Sequence, residues 1–186
     1  MKSVYLSFAL LLTLLLPAAH AFAQSAEKGG IQWISFEEAI KRNAKHPKKI
    51  VIDVFTDWCG WCKVMDRETF VDPTVVAYVN ANYYAVKLNA ERTDVVTFKG
   101  KDYKFIVTEP ARNKGYHELA STLLGGKLSY PTLVFMDENM NLIQAIPGFR
   151  KAPEMDMILK YFGGDHYKNQ EYSDFTKNYV SPYQGQ

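Results

Sequence analysis

At 186 residues, of which 47% are hydrophobic, the chain is long enough and apolar enough to bury the core of a single domain. Its 22 basic and 20 acidic side chains leave a formal charge of +2, which offers no electrostatic case for binding nucleic acid. Two cysteines in the whole chain exclude a disulfide-stapled scaffold.

The N-terminus sets one basic side chain, Lys2, before an apolar run from Leu6 to Leu16 and the small-residue stretch Pro17-Ala18-Ala19-His20-Ala21-Phe22-Ala23. This is the outline of a secretory signal peptide, with cleavage expected after Ala23. The competing reading is a membrane anchor. The apolar stretch falls short of the roughly 20 residues that span a bilayer, and no cysteine lies near it for lipidation, so no stable membrane insertion is expected after cleavage. Cleavage leaves 163 residues with a net charge of +1, an exported chain best suited to a bacterial periplasm. The expected layout is a signal peptide over 1–23, a flexible leader over 24–31, one domain over 32–163 and an extension over 164–186.

Ser35-Phe36-Glu37-Glu38 fits a capping box and predicts a helix that ends before His46-Pro47. Residues 49–55 are apolar nearly throughout, the pattern of a strand covered on both faces. A helix follows over roughly 60–69. Asp72-Pro73 then reads as an N-cap with proline in the first turn, opening a helix to about Asn82. Tyr83 to Leu88 is the next strand, and two β-rich runs over 93–107 around Lys99-Gly100 predict an inserted hairpin. Residues 108–115 read as a loop, and Tyr116 to Leu124 as a helix that carries His117 on its surface. Tyr130-Pro131 leads into a strand to Met136, and a polar turn joins it to a strand over 142–146. Gly148 marks a bend, Pro153 opens a helix to about Phe162, and the spacing Tyr172, Phe175, Tyr179 predicts a last short helix on the outside. The fold class is α/β, a central mixed sheet with helices on both faces.

The two cysteines stand together in Trp58-Cys59-Gly60-Trp61-Cys62, directly after the apolar strand. A helix opening at that point presents free N–H groups and a positive partial charge, which favour a cysteine as thiolate, the reactive form. The pattern points to thiol–disulfide exchange. A zinc site would need four Cys or His ligands, and His46, His117 and His166 are scattered at no finger-like spacing. Covalent haem needs His straight after the second cysteine, where Lys63 stands. A purely structural disulfide stays open as the bland reading, although so short a loop constrains the unfolded chain little.

Other residues carry paired readings. Asp53 sits in an apolar strand, where an unpaired carboxylate is costly, so it is either protonated or paired, and a role in proton transfer competes with a capping or solvated one. Lys87 either snorkels to solvent or pairs with Asp53. Trp58 is a packing residue or a flat apolar contact for a partner, and Tyr130 a wall of the site.

The run Ile50-Val51-Ile52-Asp53-Val54-Phe55-Thr56-Asp57-Trp58-Cys59-Gly60-Trp61-Cys62-Lys63 resembles the active-site segment of thioredoxin-like proteins, and Tyr130-Pro131-Thr132-Leu133 resembles their proline loop. The stretch through Thr69-Phe70-Val71-Asp72-Pro73 is similar to the exported members of that family. The resemblance covers most of 32–162, with 91–115 and the tail after 163 as additions. It implies that Cys59 attacks and Cys62 resolves, that the peptide before Pro131 is cis, and that the Tyr130 backbone pairs with an extended substrate segment. It also implies that Asp53 is the family's buried acid, with Lys87 as its partner, and that Trp58, Gly60 and Trp61 line the substrate side. Trp61 stands where thioredoxins carry proline, which leaves the direction of electron flow open. The expected function is exported thiol–disulfide exchange on protein disulfides with a redox partner protein, no bound cofactor and no metal, the insertion modulating partner choice. The alternative is a redox-silent binding or chaperone-like module, for which twelve tyrosines and eleven phenylalanines supply aromatic surface.

Overall fold

The computed structural model describes residues 29–112 and 114–184. The expected signal peptide and most of the expected leader lie outside the described residues. Among the described residues nine strands and six α-helices follow in the order β1 (Trp33–Ile34), α1 (Phe36–Lys45), β2 (Lys49–Phe55), α2 (Gly60–Glu68), α3 (Pro73–Asn82), β3 (Tyr83–Asn89), β4 (Val96–Phe98), β5 (Lys101–Tyr103), β6 (Phe105–Glu109), β7 (Lys114–His117), α4 (Glu118–Leu123), β8 (Thr132–Met136), β9 (Leu142–Pro147), α5 (Ala152–Gly163) and α6 (Tyr172–Asn178). A five-stranded sheet runs β1-β3-β2-β8-β9, parallel across its first three strands and antiparallel across the last two pairings. β2 is the central strand and is buried over six of its seven residues, as a run that is apolar apart from Lys49 and Asp53 leads one to expect.

Strand alternation divides the core in two. Ile50, Ile52 and Val54 of β2 face a cluster with Phe36 and Ala39 of α1 and Leu119 and Leu123 of α4. Val51 faces the other way, onto Met65 of α2, Val75 and Val79 of α3, and Met155 and Leu159 of α5. Asp53 and Lys87 are two residues on from Val51 and Ala85, which both belong to this second cluster, so both side chains project toward α2.

Local chemistry accounts for the helix boundaries. The Ser35 hydroxyl accepts the Glu38 N–H at 3.1 Å, and Asp72 Oδ1 accepts those of Thr74 and Val75 at 2.9 and 3.1 Å. Three expectations need correction. β1 was not foreseen, because a two-residue edge strand carries no period to read. Residues 108–115 are not a loop, since β6 and β7 form a second hairpin beside that of β4 and β5. The helix expected from Tyr116 starts at Glu118, and His117 is not on its surface: it caps α4, fully buried, accepting the Leu119 N–H at Nδ1 while Nε2 meets the Asp94 carbonyl at 3.0 Å.

The insertion is part of the core. Val96 and Tyr103 are buried in the α1 and α4 cluster, and the His117 N–H closes the base on the Ala90 carbonyl at 2.7 Å. Excising 93–107 would therefore open the core as well as remove a surface. The tail is likewise integrated, with Phe175 of α6 buried against α5 and the Tyr183 hydroxyl donating to Asp72 at 2.6 Å.

Candidate active site

The end of β2 delivers the cysteine pair to the first turn of α2. Cys59 is the N-cap, its backbone extended, and its Sγ accepts the Cys62 N–H at 3.1 Å. Cys59 and Cys62 are joined in a disulfide, with 4% and 2% of their surface exposed. The sulfur of Cys59 thus already occupies the position where a helix N-terminus stabilises negative charge. Gly60, first residue of α2, is exposed, and a Cβ built there meets nothing within 4 Å, so open space adjoins the disulfide.

Beneath α2 lies an ion triad. Asp53 pairs in register with Lys87 of β3, and the Lys87 ammonium donates to Asp53 Oδ2 at 2.6 Å and also to Asp66 of α2. Asp66 stands four residues after Cys62, on the same face of the helix, which places the Asp53 carboxyl under the face that bears Cys62. Trp33, Phe55 and Phe70 surround Lys87 with ring centroids 4.8–5.2 Å from its nitrogen. Asp53 is fully buried and Oδ1 has no hydrogen-bond partner. Burial pushes its pKa up to about 6, against the opposing pull of the Lys87 charge.

The peptide between Tyr130 and Pro131 is cis. The Tyr130 ring meets Trp58 edge to face at 5.9 Å, and the Trp58 indole N–H donates to Glu91 at 2.9 Å. Burial and the Glu91 charge push the Tyr130 hydroxyl up to about 12, so it remains a neutral donor. Trp61 leans on Phe149 at 5.4 Å. The geometry gathers Trp58, Cys59, Gly60, Trp61, Cys62 and Tyr130-Pro131 around the disulfide, with Asp53 and Lys87 behind it. Sequence reasoning missed Asp66, Glu91 and Phe149. Helical spacing from Cys62 signals the first of these, while the other two become visible only through tertiary contact.

The description Thioredoxin-like domain matches residues 36–163, more than two-thirds of the chain. The chain belongs to the thioredoxin-like family. Among its relatives, the Colwellia psychrerythraea thiol:disulfide interchange protein DsbD is 23% identical over 153 residues, 79% of this chain and 22% of that protein. The chain spans less than a quarter of the length of the curated relatives it matches. A solved candidate disulphide-isomerase from Bacteroides thetaiotaomicron superposes with a TM-score of 0.52 at 25% identity, over 76% of this chain and 95% of that one. The DsbH oxidoreductase superposes with a TM-score of 0.52 at 17% identity, over 73% and 86%. The fold is therefore thioredoxin-like, and the β4–β5 and β6–β7 hairpins stand between β3 and α4.

Proposed function

We propose that this protein is an exported thiol–disulfide oxidoreductase that reduces or exchanges disulfides of other exported proteins through Cys59 and Cys62. The observation that carries the reading is the Cys59 sulfur at the α2 N-cap, accepting an N–H, with its partner cysteine one turn on. Export is supported by the Lys2, Leu6 to Leu16 and Ala-x-Ala layout.

In the reduced protein the Cys59 thiolate attacks one sulfur of a substrate disulfide, forming a mixed disulfide and expelling the other sulfur as a thiolate that takes a proton from water. Cys62 then loses its proton toward the Asp53 carboxylate and attacks the Cys59 sulfur. The Cys59–Cys62 disulfide closes and the second substrate thiolate leaves. Two electrons pass to the substrate, and a dithiol partner must return them. Asp53, with a pKa near 6, is ionised often enough at neutral pH to take the proton and is a weak enough base to give it back. Lys87 keeps the charged form accessible, and Asp66 draws part of that lysine away.

With dithiothreitol as electron source, the purified protein is expected to accelerate reduction of insulin disulfides, and no acceleration overturns the reading. Cys62→Ser should accumulate mixed disulfides through Cys59, and Cys59→Ser few or none. Equal trapping by the two variants refutes the division of roles. The exposure of Trp58 and Trp61, 67% and 63%, favours a second reading as a binding module. That reading requires partner capture to survive replacement of both cysteines.

A further inference from the structure

Each cysteine is preceded by a tryptophan, and each tryptophan has an aromatic partner from a distant part of the chain: Trp58 with Tyr130, Trp61 with Phe149. Both indoles keep roughly two-thirds of their surface in water. Large apolar surface held open beside a reactive group marks a place for a partner rather than a piece of core. The cis-proline loop links the two pairs, since Tyr130 belongs to the first and the Pro131 carbonyl accepts the N–H of Gly148, next to Phe149, at 2.8 Å.

The turn that carries Phe149 is fastened from several directions. The Arg150 guanidinium donates to the carbonyls of Phe149 at 2.8 Å and Pro147 at 3.0 Å. Thr69, the C-cap of α2, donates its hydroxyl to the Arg150 carbonyl at 2.6 Å. Gly148 has φ of +97°, a conformation that L side chains rarely adopt, so the turn depends on glycine. Phe149 is thereby set against Trp61 by the same two elements, α2 and the proline loop, that frame the disulfide. Around Trp58 the charges are acidic. Glu91 accepts its indole N–H, and Asp57, the preceding residue, accepts the Asn89 amide at 3.2 Å.

We infer that these two aromatic walls make the site selective for a disulfide whose cysteine follows a bulky apolar side chain in an extended segment, with Trp61 and Phe149 as the residues that determine the preference. Arg150 and Thr69 are positioning residues for Phe149. Small disulfides leave the walls unused, and anionic ones such as glutathione disulfide meet Glu91 and Asp57. This inference rests on the oxidoreductase reading and names its substrate class.

The test uses two synthetic octapeptides, identical except for Leu or Ser before a single cysteine, each activated as its 2-pyridyl mixed disulfide. The signal-cleaved protein, reduced and desalted, is mixed with each, and the release of pyridine-2-thione gives the rate. The Leu peptide is expected to react about tenfold or more faster than the Ser peptide, the scale of one apolar contact in a specificity site. Phe149→Ala and Trp61→Ala should each bring the ratio close to one, while Phe149→Leu keeps most of it and Val180→Ala, on the exposed tail, keeps all of it. Trp61 is mostly solvent-exposed, so its variant retains the fold and preserves the test if Phe149→Ala does not. Arg150→Met should raise the half-saturating concentration of the Leu peptide more than it changes the limiting rate. A ratio near one in the unaltered protein, or one that survives both alanine variants, overturns the inference alone. Failure to react with either peptide and with bis(2-hydroxyethyl) disulfide overturns the oxidoreductase reading and this inference with it.

Discussion

Two aspartates, Asp53 and Asp156, are fully buried on the same side of the sheet, and each faces a lysine ammonium, Lys87 at 2.6 Å and Lys160 at 3.0 Å. Their surroundings differ in supply. Lys160 lies 3.0 Å from both carboxylate oxygens of Asp156, and the Tyr179 hydroxyl donates to the same group. Lys87 reaches only Oδ2 of Asp53 and is shared with Asp66. Oδ1 accepts no hydrogen bond in either aspartate, yet that of Asp156 still has the ammonium beside it. A buried carboxylate met by both a lysine ammonium and a tyrosine hydroxyl is a fastening, here of α5 to the C-terminal tail. One whose donor is divided holds its proton up to about pH 6 and is available for transfer. Burial raises the Asp53 pKa, and a lysine divided between two carboxylates does not bring it back down.

The largest expected effect separates the two by chemistry. Asp53→Asn should slow resolution of the Cys59 mixed disulfide by up to roughly 10²–10⁴-fold near neutral pH, with partial recovery at higher pH as Cys62 ionises unaided. Asp156→Asn should leave that rate alone. Quenched-flow decay of the mixed disulfide measures both, and equal rates for the unaltered and Asp53→Asn proteins would make the two aspartates alike.

Stability should separate them in the opposite sense. Asp156→Ala leaves Lys160 with one partner fewer, and about 3 kcal/mol of unfolding free energy should disappear, the lower end for a broken buried pair because Lys160 is partly exposed. Asp53→Asn should unfold in urea no earlier than the unaltered protein, because Lys87 keeps Asp66. A lower midpoint for Asp53→Asn would mean that its carboxylate is a net brace.

The pH profile sharpens the contrast further. Asp53 has a folded-state pKa near 6 against about 4 in the unfolded chain, so the folded state holds the extra proton between those values. Its favourable contribution is complete below pH 4 and is lost as pH rises through 6, a fall on the order of 2–3 kcal/mol. Urea melts across that window should show the fall in the unaltered protein and not in Asp53→Asn. A fall of equal size in both would assign it to other groups.

The smallest effect tests the second donor. Tyr179→Phe removes the hydroxyl from Asp156 and should lower stability by about 1.5 kcal/mol, the lower end for a hydrogen bond to a charged group because Tyr179 is half-buried. The window between pH 4 and 6 should not move. No loss in thermal or urea unfolding would show that Lys160 alone satisfies Asp156.

The parts of the molecule legible in sequence are those whose cause is local. Ser35, Asp72-Pro73 and the apolar run 49–55 each carry their own instruction, and α1, α3 and β2 begin where those residues say. The second hairpin was illegible because its decisive residue acts across space. A Cβ on Gly115 would lie 2.0 Å from the Ile106 carbonyl oxygen, so the glycine admits β6, but in sequence it reads only as a loop breaker. His117 was misread for the same reason, as its burial depends on the Asp94 carbonyl. Within the site, the dithiol and Pro131 announce themselves, and Asp53 stands out as a charge in an apolar strand. Phe149 does not, since nothing in Pro147-Gly148-Phe149-Arg150 says that Trp61 is nearby.

The two inserted ribbons bear on how concentrated this protein can become. Each has two strands, and among the described residues no third strand continues either one, so their outer edges keep the hydrogen-bonding pattern by which chains join edge to edge into insoluble assemblies. Lys101 and Asp102 on β5, Glu109 on β6 and Lys114 on β7 place a charge on three of the four strands, with Lys104 at the junction between the ribbons. Such side chains keep a neighbouring edge from closing at little cost to the ribbon itself. The two hairpins thus carry their own guard against edge-to-edge pairing.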